Sequence, residues 1–228
     1  MADFETLRQE LRGLDGDLYL CHLFAPSEKR DALLTLYHFY ADIARIPTAV
    51  SDPMIGAIRL QWWRDLLDAV EAGDSRGTPI GEALMQNGSR GSRMRPLIDG
   101  REAAVKGEAR TLAELEVEAA EVGPVFMQLA ADIIGLSVDK ALLTQAGTGF
   151  ELMRLVPPQG DAVAQRASMF LHEACAGFNR LPRKQRKALL PIFLPIGLAR
   201  RQAAHFPRLR GLLRYQLSLL GMAFRGKL

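Results

Sequence analysis

Asp42 is a carboxylate whose chemistry depends on its helical neighbours. Two carboxylates four residues apart share a helix face and can hold an oxygen-ligated divalent cation against phosphate oxygens. Four residues after Asp42 stands Ile46, and four before it His38. One carboxylate beside an imidazole is not such a clamp. Glu114, Glu118 and Glu121 form a second acidic ridge at helical spacing. Like charges at that spacing repel modestly, so a cation is permitted there but not required, and a solvated helix face accounts for the ridge. His22, His38, His172 and His205 fall on separate elements without ligand spacing, which argues against a metal or general-base centre. Gly147 and Gly149 follow no strand and precede no Walker lysine, so they do not form a nucleotide loop.

The elements that must position these residues are helical. Apolar residues recur at helical spacing nearly throughout, and alternating β-branched runs are missing. The pattern predicts helices over 4–11 and 15–23, and a longer one from an N-cap at Ser27 to Ile46, with Leu33, Leu36, Tyr37, Tyr40, Ile43 and Ala44 as its apolar stripe. Pro47 is expected to end it. The next helix starts at Pro53 and reaches Glu71, with Arg59, Trp62, Trp63, Leu66, Leu67 and Val70 on one face. A short helix at 81–86, a flexible basic loop at 87–93 and a helix at 96–106 follow. Thr111 with Glu114 forms a capping-box pattern for a helix to Leu136, kinked at Gly123-Pro124. Helices at 139–156 and 162–181 come next. After Pro182, two or three shorter, proline-punctuated basic helices are expected. No boundary divides the pattern, so residues 1–228 read as one domain with a basic C-terminal segment, 182–228.

Composition fits a folded protein: 48% hydrophobic and 24% charged residues in a chain of 228. Cys21 and Cys175 stand far apart, outside any CxxC, and read as small buried hydrophobes in a reduced compartment. The N-terminal residues lack an apolar signal core, and no apolar run reaches the roughly 20 residues of a membrane span. A cytoplasmic protein is expected, with peripheral attachment at the inner face of the membrane. The charge is lopsided. From Ala174 onward there are 12 Lys or Arg and no acid, leaving 17 basic residues against all 26 acids in the first 173, a net of −9. Arg183, Lys184, Arg186, Lys187, Arg200 and Arg201 are therefore candidates for an anionic partner, either a membrane surface or a protein. PRKQRK followed by ALLPIFLPI sets charge beside an apolar patch, as interfacial segments do. Nucleic acid is disfavoured, because no recognised module accompanies the charge and only Tyr215 and a few Phe are available to stack.

Four stretches carry a family resemblance: YLCHLFAP, LYHFYADIARI, PMIGAIRLQWWRDLLDA and LPRKQRKALLPIFLPI. They resemble the squalene/phytoene synthase family, and within it a divergent branch that includes a phytoene-synthase-like assembly factor of respiratory complex I. In the catalytic members two DxxxD-type clusters hold Mg²⁺ for prenyl diphosphates. Placing Tyr37 on the family's usual aromatic puts Ala44 and Thr48 where the first two aspartates fall. The region comparable to the second cluster, Ala146 to Gly160, has Glu151 as its only acid, with Pro157, Pro158 and Gln159 where further acids belong.

The resemblance implies an all-α helical bundle of the isoprenoid synthase type around a central cavity. Tyr37, Tyr40, Asp42, Arg45, Arg59, Trp62 and Trp63 are the cavity or ligand candidates, the tryptophans packing on a prenyl chain and Arg59 meeting its diphosphate. The plainer account puts one tryptophan in the core and pairs Arg59 and Arg64 with Asp65 or Asp68. Three functions follow from the resemblance. The first is a non-catalytic binding or assembly factor near the membrane, without catalytic residue, metal or cofactor. The second is a prenyltransferase with Mg²⁺ on displaced carboxylates such as Asp42, Glu114 and Glu118. The third is a protein that holds an isoprenoid lipid without converting it.

Overall fold

The computed structural model describes residues 2–89, 91–107, 110–155, 160–205 and 212–228, and among them every regular element is a helix. Two compact units make up the chain, Met1–Ala109 and Arg110–Leu228. The first contains α1 (Phe4–Leu14), α2 (Gly16–His22), α3 (Ser27–Ala49), α4 (Pro53–Glu71), α5 (Pro79–Gln86), α6 (Gly91–Asp99) and α7 (Glu102–Val105). The second contains α8 (Leu112–Ile134), α9 (Lys140–Leu155), α10 (Asp161–Arg180), α11 (Arg183–His205) and α12 (Leu212–Arg225).

The first unit is built around α3. Every residue from Leu33 to Ala41 is buried, so the helix is covered on all sides rather than along one stripe. α1, α2, α4, α5, α6 and α7 all pack on it. Ser27 is its first residue, not its cap: the preceding Pro26 holds the cap position without a side-chain bond, and the Ser27 hydroxyl turns to Glu28 instead. Pro47 does not stop it. A proline near the C-terminus forfeits one amide bond, yet the helix continues to Ala49 before Val50 turns extended. α4 begins and ends as expected, with the Asp52 carboxylate accepting the Met54 N–H at 2.8 Å. The basic loop is shorter than expected because Glu71, at the end of α4, accepts the Ser92 N–H at 2.8 Å and so caps α6 from across the fold. Arg90 lies outside the described residues. The helix expected over 96–106 is divided, with α6 and α7 separated near Gly100.

In the second unit α9 holds the central place, buried from Ala146 to Met153 and packed by α8, α10 and α11. The glycines of AGTGFE serve this packing. A Cβ at Gly147 would lie 2.1 Å from the Gly123 carbonyl carbon, and one at Gly123 2.1 Å from the Gly147 carbonyl oxygen, so α8 and α9 cross backbone to backbone. A Cβ at Gly149 would meet the Leu171 and Phe170 side chains of α10 at 2.8 and 2.9 Å. The capping box at Thr111 and Glu114 is present, and α8 ends at Ile134 with Gly135 left-handed, φ 81°. Pro157, Pro158 and Gln159 lie outside the described residues.

Among the described residues two helices follow Pro182, within the two or three expected, but the first of them, α11, is not short. It runs 23 residues through Pro191 and Pro195. Each interior proline costs about 3 kcal/mol. Leu189, Leu190, Ile192, Phe193, Leu194, Ile196 and Leu198 are all buried, each contributing about 1.5–3 kcal/mol, so burial outweighs the two prolines. The thiols of Cys21 and Cys175 are buried too, which pushes both pKa values up.

Because the α8–α9 crossing leaves no room for a side chain, Gly123→Ala and Gly147→Ala should each destabilise the protein by about 1–3 kcal/mol or more. Denaturant unfolding of each variant measures this. A loss below about 0.5 kcal/mol would show that the two helices are free to separate.

Candidate functional site

Where the buried run of α3 ends, at Ala41, a groove begins. Asp42, Arg45, Ile46 and Ala49 of α3 face Arg59, Trp62 and Trp63 of α4 across a cavity of about 340 Å³. An adjoining cavity of about 470 Å³ shares Asp42, Arg45, Trp62 and Trp63, and adds Gln9, Glu10, Gly13 and Leu14 of α1, His38 of α3 and Ile80 of α5. The aromatic wall is held from below. Phe39 meets Trp63 edge-on with ring centroids 5.0 Å apart, and Trp63 meets Trp62 edge-on, also at 5.0 Å. Trp63 is core and Trp62 is 40% exposed, so one indole anchors the other at the groove.

Five of the seven sequence candidates therefore meet here: Asp42, Arg45, Arg59, Trp62 and Trp63. Tyr37 and Tyr40 do not. Both are fully buried, five and two residues before Asp42, where Tyr40 lies under the Arg101 guanidinium at 5.5 Å and burial pushes the Tyr37 phenol well up. Arg59 is exposed rather than on the buried stripe, because Gly56, Leu60 and Trp63 take the inward face and Gly56 packs against Val105. Arg64 pairs with Asp99 at 2.7 Å and Glu102 at 2.5 Å, not with Asp65 or Asp68, which instead receive Gln61 and Arg95.

Sequence reasoning missed the α1 wall. His38 bonds through Nε2 to Glu10 at 2.7 Å, an imidazole–carboxylate contact across 28 residues of chain. The one available signal was that His38 stands four residues before Asp42, on the same helix face.

The charge at the groove decides what it can hold. Among the described residues neither Arg45 nor Arg59 has an ion-pair partner, and Asp42 has none either. In the smaller cavity two guanidiniums against the Asp42 carboxylate leave a net positive charge beside an indole wall, which suits an anion with an apolar neighbour, while Glu10 of the adjoining cavity is bonded to His38. Mg²⁺ does not fit. It demands an octahedral shell of hard oxygens, and here Asp42 stands beside two guanidiniums while Glu10, the other carboxylate lining the groove, is bonded to His38. Among the described residues no three His, Cys, Asp or Glu side chains converge as a metal site. Glu114 is occupied by its own cap at Thr111, which holds its carboxyl below the usual range, and Glu118 pairs with Arg110 at 2.8 Å.

The C-terminal candidates divide. Arg183, Lys184, Lys187 and Arg201 are exposed. Arg186 is structural: it donates to the carbonyls of Asn179, Leu181 and Gly226 at 2.8, 2.9 and 3.0 Å, tying the chain end to the α10–α11 turn. Arg200 is half-buried, 3.5 Å from the Leu228 carbonyl. The apolar half of the expected interfacial segment, Leu189 to Ala199, is core, so it offers no patch beside the charge. Among the described residues no helix is long and apolar enough to cross a membrane.

Among the described residues the fold is all-helical, and the sequence that builds it falls in a known class. Residues 11–156, well over half of the chain, match the squalene/phytoene synthase family, and the chain belongs to it. Membership brings the isoprenoid synthase fold with it. Among curated proteins the chain is similar to NADH dehydrogenase (ubiquinone) complex I, assembly factor 6, from Bos taurus, 28% identical over 131 residues, and to its Homo sapiens counterpart at 26%. In both cases the alignment covers 55% of this chain and 39% of the relative, so the match spans well under half of the relatives' length. No solved structure matches the chain significantly.

The free guanidiniums generate a direct expectation. Inorganic diphosphate should stabilise the protein in a thermal-shift titration, and Arg45→Gln with Arg59→Gln should weaken that effect about tenfold or more, independently of Mg²⁺. A shift that required Mg²⁺, or that survived the double substitution, would place the anion elsewhere.

Proposed function

We propose that this chain is a non-catalytic member of its family that acts by binding, as an assembly factor close to the membrane, with respiratory complex I as the assembly in question. The observation that carries the reading is the donor set of the groove. Releasing a diphosphate from a prenyl chain requires that the leaving charge be neutralised, and the family's chemistry does so with Mg²⁺ on paired carboxylates. Here Asp42 stands alone between Arg45 and Arg59, with Ala44 and Thr48 in the aspartate positions. Guanidiniums can bind a diphosphate in the ground state, but tight ground-state binding does not by itself lower a barrier. The relatives' name supplies the complex I assignment.

A second reading is favoured by Trp62 and Trp63: the groove keeps an isoprenoid lipid, its anionic end on Arg45 and Arg59 and its chain along the indoles, without converting it.

Purified protein with farnesyl or geranylgeranyl diphosphate and Mg²⁺ should release no diphosphate, while the same ligands should raise the melting temperature if the second reading holds. Metal-dependent turnover would end the non-catalytic proposal. The assembly role has its own readout. Deleting the chain in its host should lower the amount of assembled complex I, measured by native gel and NADH oxidation, and an unchanged amount would remove that role.

A further inference from the structure

The first three turns of α4 carry an apolar face that the core leaves uncovered. Met54 is 71% exposed, Ile58 62%, Ile55 48% and Trp62 40%. Their spacing, 54–58–62 and 55–58–62, puts them on one side of the helix over roughly 12 Å. The opposite side, Gly56, Leu60 and Trp63, is the one that meets the unit's core. Scattered single apolar side chains on a surface need no explanation, whereas a contiguous row does.

Along the row itself the charge is basic, and Asp42 is the one acid in the cavity that Arg45, Arg59 and Trp62 share. From Pro53 to Arg64 the helix contains no Asp or Glu. Arg59 lies within the row, four residues after Ile55 and three before Trp62, exposed and without a protein partner among the described residues. Arg45, also exposed and unpartnered, lines the same cavity as Arg59 and Trp62. Asp52, the acid next to the row, is committed to the helix cap.

We infer that this face of α4 docks on an anionic phospholipid bilayer. Met54, Ile55, Ile58 and Trp62 enter the boundary between headgroups and acyl chains, and Arg59, with Arg45 beside it, meets lipid phosphates. Indole and guanidinium side by side are the chemistry of that boundary, the ring amphipathic and the fork matched to phosphate. Size also selects the bilayer over a protein. A standard protein interface takes about 800 Å² from each partner, far more than four side chains along three helical turns supply. A bilayer sets no such minimum, and shallow insertion by one short face combined with cationic contacts gives reversible attachment. The inference rests on the reading above only in expecting a membrane nearby; it moves the attachment from α11, whose apolar residues are core, to α4.

The test uses the full chain with vesicles of phosphatidylcholine alone or mixed with phosphatidylglycerol, in a sedimentation assay and by tryptophan fluorescence. Binding should require phosphatidylglycerol and fall with salt. The chain has two tryptophans and Trp63 is already buried, so the emission should shift to the blue through Trp62, and Trp62→Phe should abolish the shift. Ile58→Glu should weaken binding about tenfold or more, and Arg59→Gln about fivefold. Both side chains are exposed, so far-UV circular dichroism and melting temperature should not change. Lys184→Gln with Lys187→Gln should bind as the wild type does. The inference is overturned if anionic vesicles are not bound, if Ile58→Glu binds undiminished, or if the double lysine variant is the one that loses binding. None of these results bears on complex I levels, so the assembly reading stands or falls separately.

Discussion

Complete burial of the middle of α3 is the constraint from which the first unit follows. A helix buried from Leu33 to Ala41 must keep its ionic groups beyond that run, and Asp42 and Arg45 come immediately after it. Phe39, near the end of the buried run, seats Trp63, and Trp63 in turn sets Trp62 at the mouth of the groove. Hydrophobic burial and aromatic edge contacts thus fix where the polar chemistry appears before any ligand is considered. The rim is completed by α1, whose Glu10 holds His38.

On the proposed reading, the groove keeps the scaffold's place for ligand binding while its charge is reversed. Paired acids hold a cation that in turn holds an anion, whereas paired guanidiniums hold the anion directly. The second arrangement binds without supplying a removable Lewis acid. The fold alone therefore says little about turnover, and the donor set says more.

How much of this was legible in the sequence varies by element. α4 was readable to its ends, because Asp52-Pro53 is a strong start and the stripe from Trp63 to Val70 has a clean helical period. α8 was readable through its capping box. α11 was not, since proline preferences are local while the burial that overrides them is tertiary. The same gap explains the tyrosines: spacing placed Tyr37 and Tyr40 on the right face of α3, but only packing reveals that α3 has no open face until Asp42. At Arg59 the stripe was read about one position too wide, and that small angular error separates core from surface. The His38–Glu10 contact joins residues 28 apart through tertiary packing, which periodicity cannot see.

The crossing of α8 and α9 carries a consequence for mutation. Every single-nucleotide change of a glycine codon that alters the residue without stopping translation introduces a Cβ. At Gly123 and Gly147 that atom meets the backbone of the facing helix, not a side chain able to swing aside. The two codons form one shared target at which no missense change is sterically neutral. Nor can a change at one position be compensated by a smaller residue at the other, because both are already as small as residues can be.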